Sequence, residues 1–302
     1  MRILLGTGPV RSQLIFGWVC LVPILAYYAF FAVYPIFSAF WVSLHRWSLT
    51  VPRRPFVGVD NYVWVLNDGT FWISLTNTLY YAVAFVTASI LIGLALGTLI
   101  WGFKEPYKSI LQTIVFFPVM TSMVVAAQVW ELMYDPGYGI LNHLLRAVGL
   151  STHMWLRSPN EVMPSIIIMS VWKHVGYYAV LFIAGLTTIP QELYEVAWID
   201  GASRWQTFWH IVLPLLAPTT VFCLVTGSIG AFQVFTQVYA STSAVGIGGP
   251  GKASYVLLLY LYDHGFKYFE MGRASAIAFV LFGLVLVVTL IQMRLMRERF
   301  QY

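Results

Sequence analysis

Charged residues are scarce in this chain: Asp, Glu, Lys and Arg make up 10% of 302 residues, against about 25% in soluble domains. With 59% hydrophobic residues and a mean hydropathy of +0.76, a water-soluble surface is excluded. Cysteine is nearly absent. Cys20 and Cys223 both fall inside apolar runs, which argues against a disulfide framework or a thiolate metal site and leaves them as small packing residues. The histidines (His45, His143, His153, His174, His210, His264) are scattered, and none has a second histidine at the i, i+4 spacing of a helical metal site. No metal is expected. Also missing are domain linkers, low-complexity tracts, short-period repeats and the alternating ten-residue segments of a membrane barrel.

Long apolar runs are plentiful instead. A membrane helix needs roughly 20 mostly apolar residues, and the sequence offers such runs at 14–34, 73–101, 110–130, 162–189, 215–239 and 274–292. All are free of charge except the fourth, which holds Lys173. Isolated helices satisfy their own backbone in lipid, so the expected fold is an all-α polytopic membrane protein: six transmembrane helices in one domain, 1–302. The first run is too long for a secretory signal, because apolarity continues past Pro23 into Tyr27, Tyr28, Phe30 and Phe31.

The positive-inside rule orients the spans. With both termini cytoplasmic, the inner segments hold Arg2, Arg11, Lys104, Lys108, Arg204, Arg294, Arg297 and Arg299. The outer segments, nearly twice as long, hold Arg46, Arg53, Arg54, Arg146, Arg157, Lys252 and Lys267. The net charge of +5 needs no nucleic acid. Trp41, Trp47, Trp72, Trp101 and Trp130 stand near run ends, as interface anchors do.

The inner segment 190–214 reads as two capped helices rather than a plain connection. Pro190 suits a first helical position, Glu192 the positive end of the dipole, and Gly201 a stop after Asp200. Ser203-Arg204-Trp205-Gln206 then fits a capping box, and Pro214 is placed to end the run. Physics allows such a pair to lie on lipid headgroups or to insert into a groove of a soluble partner.

Glu195-Val196-Ala197, two residues, then Asp200-Gly201-Ala202, followed by Phe208, Ile211, Leu213 and Pro214, resembles the EAA signature of permease subunits in binding-protein-dependent ABC importers. Val196 and Trp198 depart from the usual pattern. Phe56-Val57-Gly58-Val59-Asp60-Asn61-Tyr62, Asn77-Thr78, Asp135-Pro136-Gly137, Gly139, Asn142 and Gly248-Gly249-Pro250 resemble the carbohydrate-uptake branch, which contains maltose and glycerol-3-phosphate permeases. The resemblance implies a heterodimer with a second homologous permease, a cytoplasmic ATPase dimer, an extracytoplasmic solute-binding protein, and a location in the bacterial inner membrane. It implies that Glu195, Ala197, Asp200, Gly201 and Ala202 form the ATPase-coupling element, with Glu195 facing a basic residue of the motor. Asp200 reads equally well as a helix-end residue bonding local backbone.

The chain carries no motor. Gly246-Ile247-Gly248-Gly249-Pro250-Gly251-Lys252 matches the start of a P-loop, but Ala253 stands where Ser or Thr must ligate magnesium, and no strand precedes it. No cofactor is expected here: ATP and Mg belong to the partner ATPase, and this subunit is not an enzyme. An intramembrane enzyme would need a base beside His174, and no Gly-x-Ser-x-Gly elbow or paired acid supplies one.

Polar groups within runs are path candidates by default: Asn77, Gln128, Glu131, Lys173, His174, Gln233, Gln237 and, nearby, Tyr239. Gln233 and Gln237, one turn apart, would line one face of the fifth span, and aromatic stacking plus amide hydrogen bonds suits a sugar. Glu131 and Lys173 are expected near outer span ends, within reach of water. A phosphorylated polyol, acidic oligosaccharide or peptide is the alternative cargo, for which outer Arg46, Arg53 and Arg54 would suit an anion.

Overall fold

The computed structural model describes residues 9–297; Arg2 and Arg299 of the charge pattern lie outside the described residues. The chain is helical almost throughout. Helix α1 (Gln13–Ser43) contains a π-turn at Ala29–Val33. A loop leads to α2 (Asp60–Asn67) and α3 (Gly69–Trp101), the latter capped by Asp68, whose carboxylate accepts from Thr70 N at 2.9 Å. Next come α4 (Tyr107–Met120), α5 (Met123–Met133) and α6 (Ile140–Ala147). Helix α7 (Val162–Thr187) is followed by α8 (Gln191–Ile199), α9 (Arg204–Leu215) and α10 (Ala217–Phe232). Helices α11 (Thr236–Ser241), α12 (Leu257–Tyr262) and α13 (Met271–Arg297) complete the order. Among the described residues, extended pairing is confined to the isolated bridges His45–Phe56 and Ser48–Val51.

Among the described residues, α1, α3, α7 and α13 are each long and apolar enough to cross a membrane, and two bent pairs bring the total to as many as six. The third run is broken: α4 and α5 meet at 96°. Pro118 has no N–H for the helical ladder, and Thr121 and Ser122 adopt extended backbone directly after it. The fifth run also differs from expectation. Pro214 does not end α9, because the π-turn Phe208–Val212 widens the helix where the proline ring would meet a carbonyl, and the 61° bend falls at Leu216.

By contacts the chain divides into two compact units. One holds the chain up to Val65 with His264–Phe279. Here α1 turns large apolar side chains outward, with Phe16 71%, Phe30 65% and Phe37 68% exposed, as a lipid-facing helix must. Its loop is fastened by Asn61, whose Nδ2 donates to Ser43 O at 2.7 Å and His45 O at 3.0 Å.

The other unit holds Leu66–Asp263 and the chain from Val280 onward. Its centre is α3 against α7. Gly93 and Gly97 let the backbones approach: a Cβ at Gly93 would lie 2.6 Å from Tyr178 Cβ, and one at Gly97 2.9 Å from Ala179 O. Without a hydrophobic drive between helices in lipid, such small-residue contact is what holds spans together. Gly176 of α7 does the same against α4, where a Cβ would collide with Val115 O. Cys223 is buried on α10 and Cys20 exposed on α1, both as free thiols.

Candidate functional site

The 190–215 segment is built from its two joints outward. Pro190 occupies the cap position, one residue before the first helical position that its residue type suggests, and α8 runs to Ile199. Gly201 adopts φ +75°, a left-handed conformation that costs glycine nothing. Ala202 N donates to Ala197 O at 2.9 Å and Gly201 N to Trp198 O at 3.1 Å, the two bonds of a Schellman ending. The second joint follows at once. Ser203 Oγ accepts from Gln206 N at 3.3 Å while Ser203 N donates to Gln206 Oε1 at 2.8 Å, completing the capping box.

Within this element Ala197 is buried at 4% exposure. Glu195 is exposed, and its Oε1 accepts from Gln191 Nε2 at 3.0 Å. Val196 (54%), Trp198 (67%), Ile199 (84%) and Trp205 (70%) are all turned outward. Asp200, Gly201 and Ala202 line a cavity of 280 Å³ with Gln206 and His210. The residues singled out by the signature are thus brought together on one short folded element.

The path candidates are scattered. Lys173 is not at an outer span end within reach of water. It lies mid-way along α7, 5% exposed. Its Nζ donates to Pro118 O at 3.0 Å, Val119 O at 3.3 Å and Thr121 O at 2.6 Å. The three donors of an ammonium group meet three carbonyls at the 96° break, of which Pro118 O also accepts from Thr121 N and Oγ1. Beside it, His174 Nδ1 is bonded to Ser170 O at 2.8 Å, with its ring edge-on to Phe85.

Gln233 and Gln237 do not share one helix. Helix α10 stops at Phe232, Gln233 caps it, and Phe235 (φ −143°, ψ −63°) breaks the chain before α11. Tyr239 on α11 stacks on Phe235 at 5.3 Å and meets Tyr262 edge-on at 6.0 Å, an aromatic cluster of which the sequence pattern marks only Tyr239. Asn77 donates to Lys252 O and Tyr255 O, both at 3.0 Å, so it fastens the Gly-rich loop onto α3. Thr78 Oγ1 adds a bond from Leu257 N at 2.9 Å. Gln128 is exposed on α5, and Glu131 lines a 100 Å³ recess with Tyr134 and Arg157.

Asp135 and Asn142, singled out by the resemblance, build loops. Asp135 accepts from Gly137 N at 2.8 Å, Tyr138 N at 3.1 Å and Arg157 at 3.0 Å. Asn142 accepts from His153 N and Trp155 Nε1 and donates to His153 O. Burial pushes the Glu161 carboxyl up, but bonds from His153 and Trp155 N outweigh it and hold it below its ordinary value.

Long apolar helices packed through glycines, two bent apolar helix pairs and a folded two-helix element define a polytopic helical membrane protein. The chain belongs to the family of binding-protein-dependent transport system inner membrane components, whose description matches residues 89–300. It is similar to the trehalose/maltose transport system permease protein MalF of Thermococcus litoralis, at 35% identity over 94% of each chain. It is similar also to the arabinooligosaccharides transport system permease protein AraP of Bacillus subtilis, at 34% identity over 90% of this chain and 85% of that one. Its fold matches a chain in the crystal structure of a bacterial ABC transporter that imports the acidic polysaccharide alginate, with TM-score 0.80, 23% identity and coverage of 96% and 97%.

Proposed function

We propose that this chain is a transmembrane subunit of an ATP-driven importer for a sugar or sugar-like solute, working as a single six-span domain with each bent pair counted as one span. Both termini face the cytoplasm. A second homologous permease completes the path, a cytoplasmic ATPase dimer binds ATP and Mg and drives it, and an extracytoplasmic binding protein delivers solute. The observation that carries this reading is the two-helix element fixed by a Schellman ending at Gly201 and a capping box at Ser203. A connection so firmly folded, with Trp198, Ile199 and Trp205 outward, suits a body that moves as one piece in a groove of a partner. The sugar-handling names of the MalF and AraP relatives support the cargo class.

Coupling requires contacts that differ between the two states of the machine. Motor and membrane path would be linked through Glu195, Ala197, Asp200, Gly201 and Ala202. Tyr239 in its aromatic cluster, with Gln237, is the best-placed pair for a sugar ring. The decisive test is co-purification with the ATPase and solute-stimulated ATP hydrolysis for wild type, Glu195→Ala and Gly201→Pro. Loss of stimulated hydrolysis in both variants, and of ATPase retention in Gly201→Pro, is expected. Unimpaired assembly and stimulation in both would overturn the reading. A reporter fused after Arg204 is expected to read cytoplasmic.

A further inference from the structure

A cavity of about 610 Å³ lies within the first unit, between the end of α1 and the first turn of α13. Its volume falls in the range of small-ligand sites, roughly 300–1,000 Å³. None of the path candidates lines it.

Its frame is rigid. Gly272 N donates to Trp47 O at 3.0 Å and Leu49 N to Phe269 O at 3.1 Å, while Asn61 ties the carbonyls of Ser43 and His45. Gly272 lies so close to His45 O that a Cβ would collide with it. The walls divide by chemistry. Arg46 and Arg53 are exposed and line the cleft, and among the described residues neither forms an ion pair with a carboxylate. Arg273 differs: it is bound to Glu270 at 2.6 Å and stacked on Trp64 at 3.9 Å. Asp60, Ser48 and Thr50 present oxygen acceptors for hydroxyl groups. The rings of Trp47, Trp64 and Tyr268 complete the wall, the residue types that settle at the headgroup level of a bilayer.

Position selects the ligand. The cleft lies where a membrane helix ends, at Ser43, and another begins, at Met271. In a bilayer those helix ends would stand at the level of the lipid headgroups. Arg46, Arg53 and Asp60 all line the cleft, so a phosphate seated there would have two arginines as its cationic partners and a hydroxylated head a carboxylate. We propose that this cleft is a binding site for an anionic phospholipid of the phosphoglycerol class, seated with its phosphate on Arg46 and Arg53. The inference is independent of the cargo.

The test uses the full chain, with whatever partner subunits co-purify, in nanodiscs of phosphatidylcholine mixed in equal part with phosphatidylglycerol. Lipid retained after exchange into detergent is identified by mass spectrometry, for wild type, for Arg46→Ala with Arg53→Ala, and for Arg157→Ala as a control on outer charge. Enrichment of phosphatidylglycerol in wild type and Arg157→Ala is expected, falling roughly 10- to 30-fold in the double variant, as two charges near a headgroup predict. Equal retention of both lipids in wild type, or undiminished enrichment in the double variant, overturns the proposal. Binding of free glycerol phosphate to wild type in phosphatidylcholine alone, without lipid selectivity, overturns it in favour of a soluble anion. Lost stimulation by the binding protein in the double variant, without lipid selectivity, overturns it in favour of a docking surface.

Discussion

Lys173 shows how a single residue can be unusual for one reason and suggest another. An amine in an apolar run is costly unless it has partners, which makes it a path candidate by sequence. Its partners are the backbone of the bent pair α4–α5, at Pro118, Val119 and Thr121. Nothing within 110–130 of the sequence says that the chain turns by 96° there, since Pro118 alone is compatible with a mild kink. The lysine and the break explain one another only in three dimensions. Lys173→Met keeps the length and apolar stem but removes every donor, so the half-buried carbonyls of Val119 and Thr121 lose their bond while Pro118 O keeps those from Thr121 N and Oγ1. A loss of about 2–5 kcal/mol is expected, at 1–3 kcal/mol per unsatisfied group with partial relaxation. Thermal unfolding of the purified protein in detergent checks it. Lys173→Arg, which restores donors but on a longer, planar head, should recover part of the loss; if Lys173→Met melts with wild type, the cap is of no consequence.

At the scale of elements, local signals are legible in the sequence and tertiary breaks are not. Gly201 and Ser203 act on the backbone within a few residues of themselves, so residue type and spacing alone are enough to place their caps. Gln233 and Gln237 are misplaced by the same reasoning. No glycine or proline marks 233–235, and the chain breaks there with Phe232 and Val234 buried in the surrounding packing. The caps permit a graded experiment. Ser203→Ala removes one acceptor and should cost about 1 kcal/mol, whereas Gly201→Ala forces a Cβ into φ +75°, about 1–2 kcal/mol. Nothing lies within 4 Å of a Cβ at Gly201, so its cost is conformational rather than steric. Solute-stimulated ATP hydrolysis is expected to fall more for Gly201→Ala than for Ser203→Ala, with expression preserved in both. The reverse order would mean that the hinge angle is unimportant.

For the whole molecule, six apolar runs in the sequence become four unbroken membrane-length helices and two bent pairs among the described residues. The class survives because it depends on composition summed over long windows, which packing cannot reverse. The packing itself is only half legible: Gly93 and Gly97 stand at the G-x-x-x-G spacing of close helix approach, but nothing in the run says which helix they meet. Yet glycine is where the second unit is most exacting, since hydrophobic matching cannot select between lipid and protein partners in a membrane. Two substitutions of identical chemistry should therefore part company. Gly93→Ala places a methyl group 2.6 Å from Tyr178 Cβ, so α3 and α7 must separate and a loss of about 1–3 kcal/mol is expected. Gly283→Ala, on α13, meets nothing within 4 Å and should be neutral or stabilising by up to about 1 kcal/mol, through helix propensity alone. Melting temperatures of the two variants side by side decide the matter. Equal shifts would show that the α3–α7 contact yields without cost, and with it the reason for glycine there would fall.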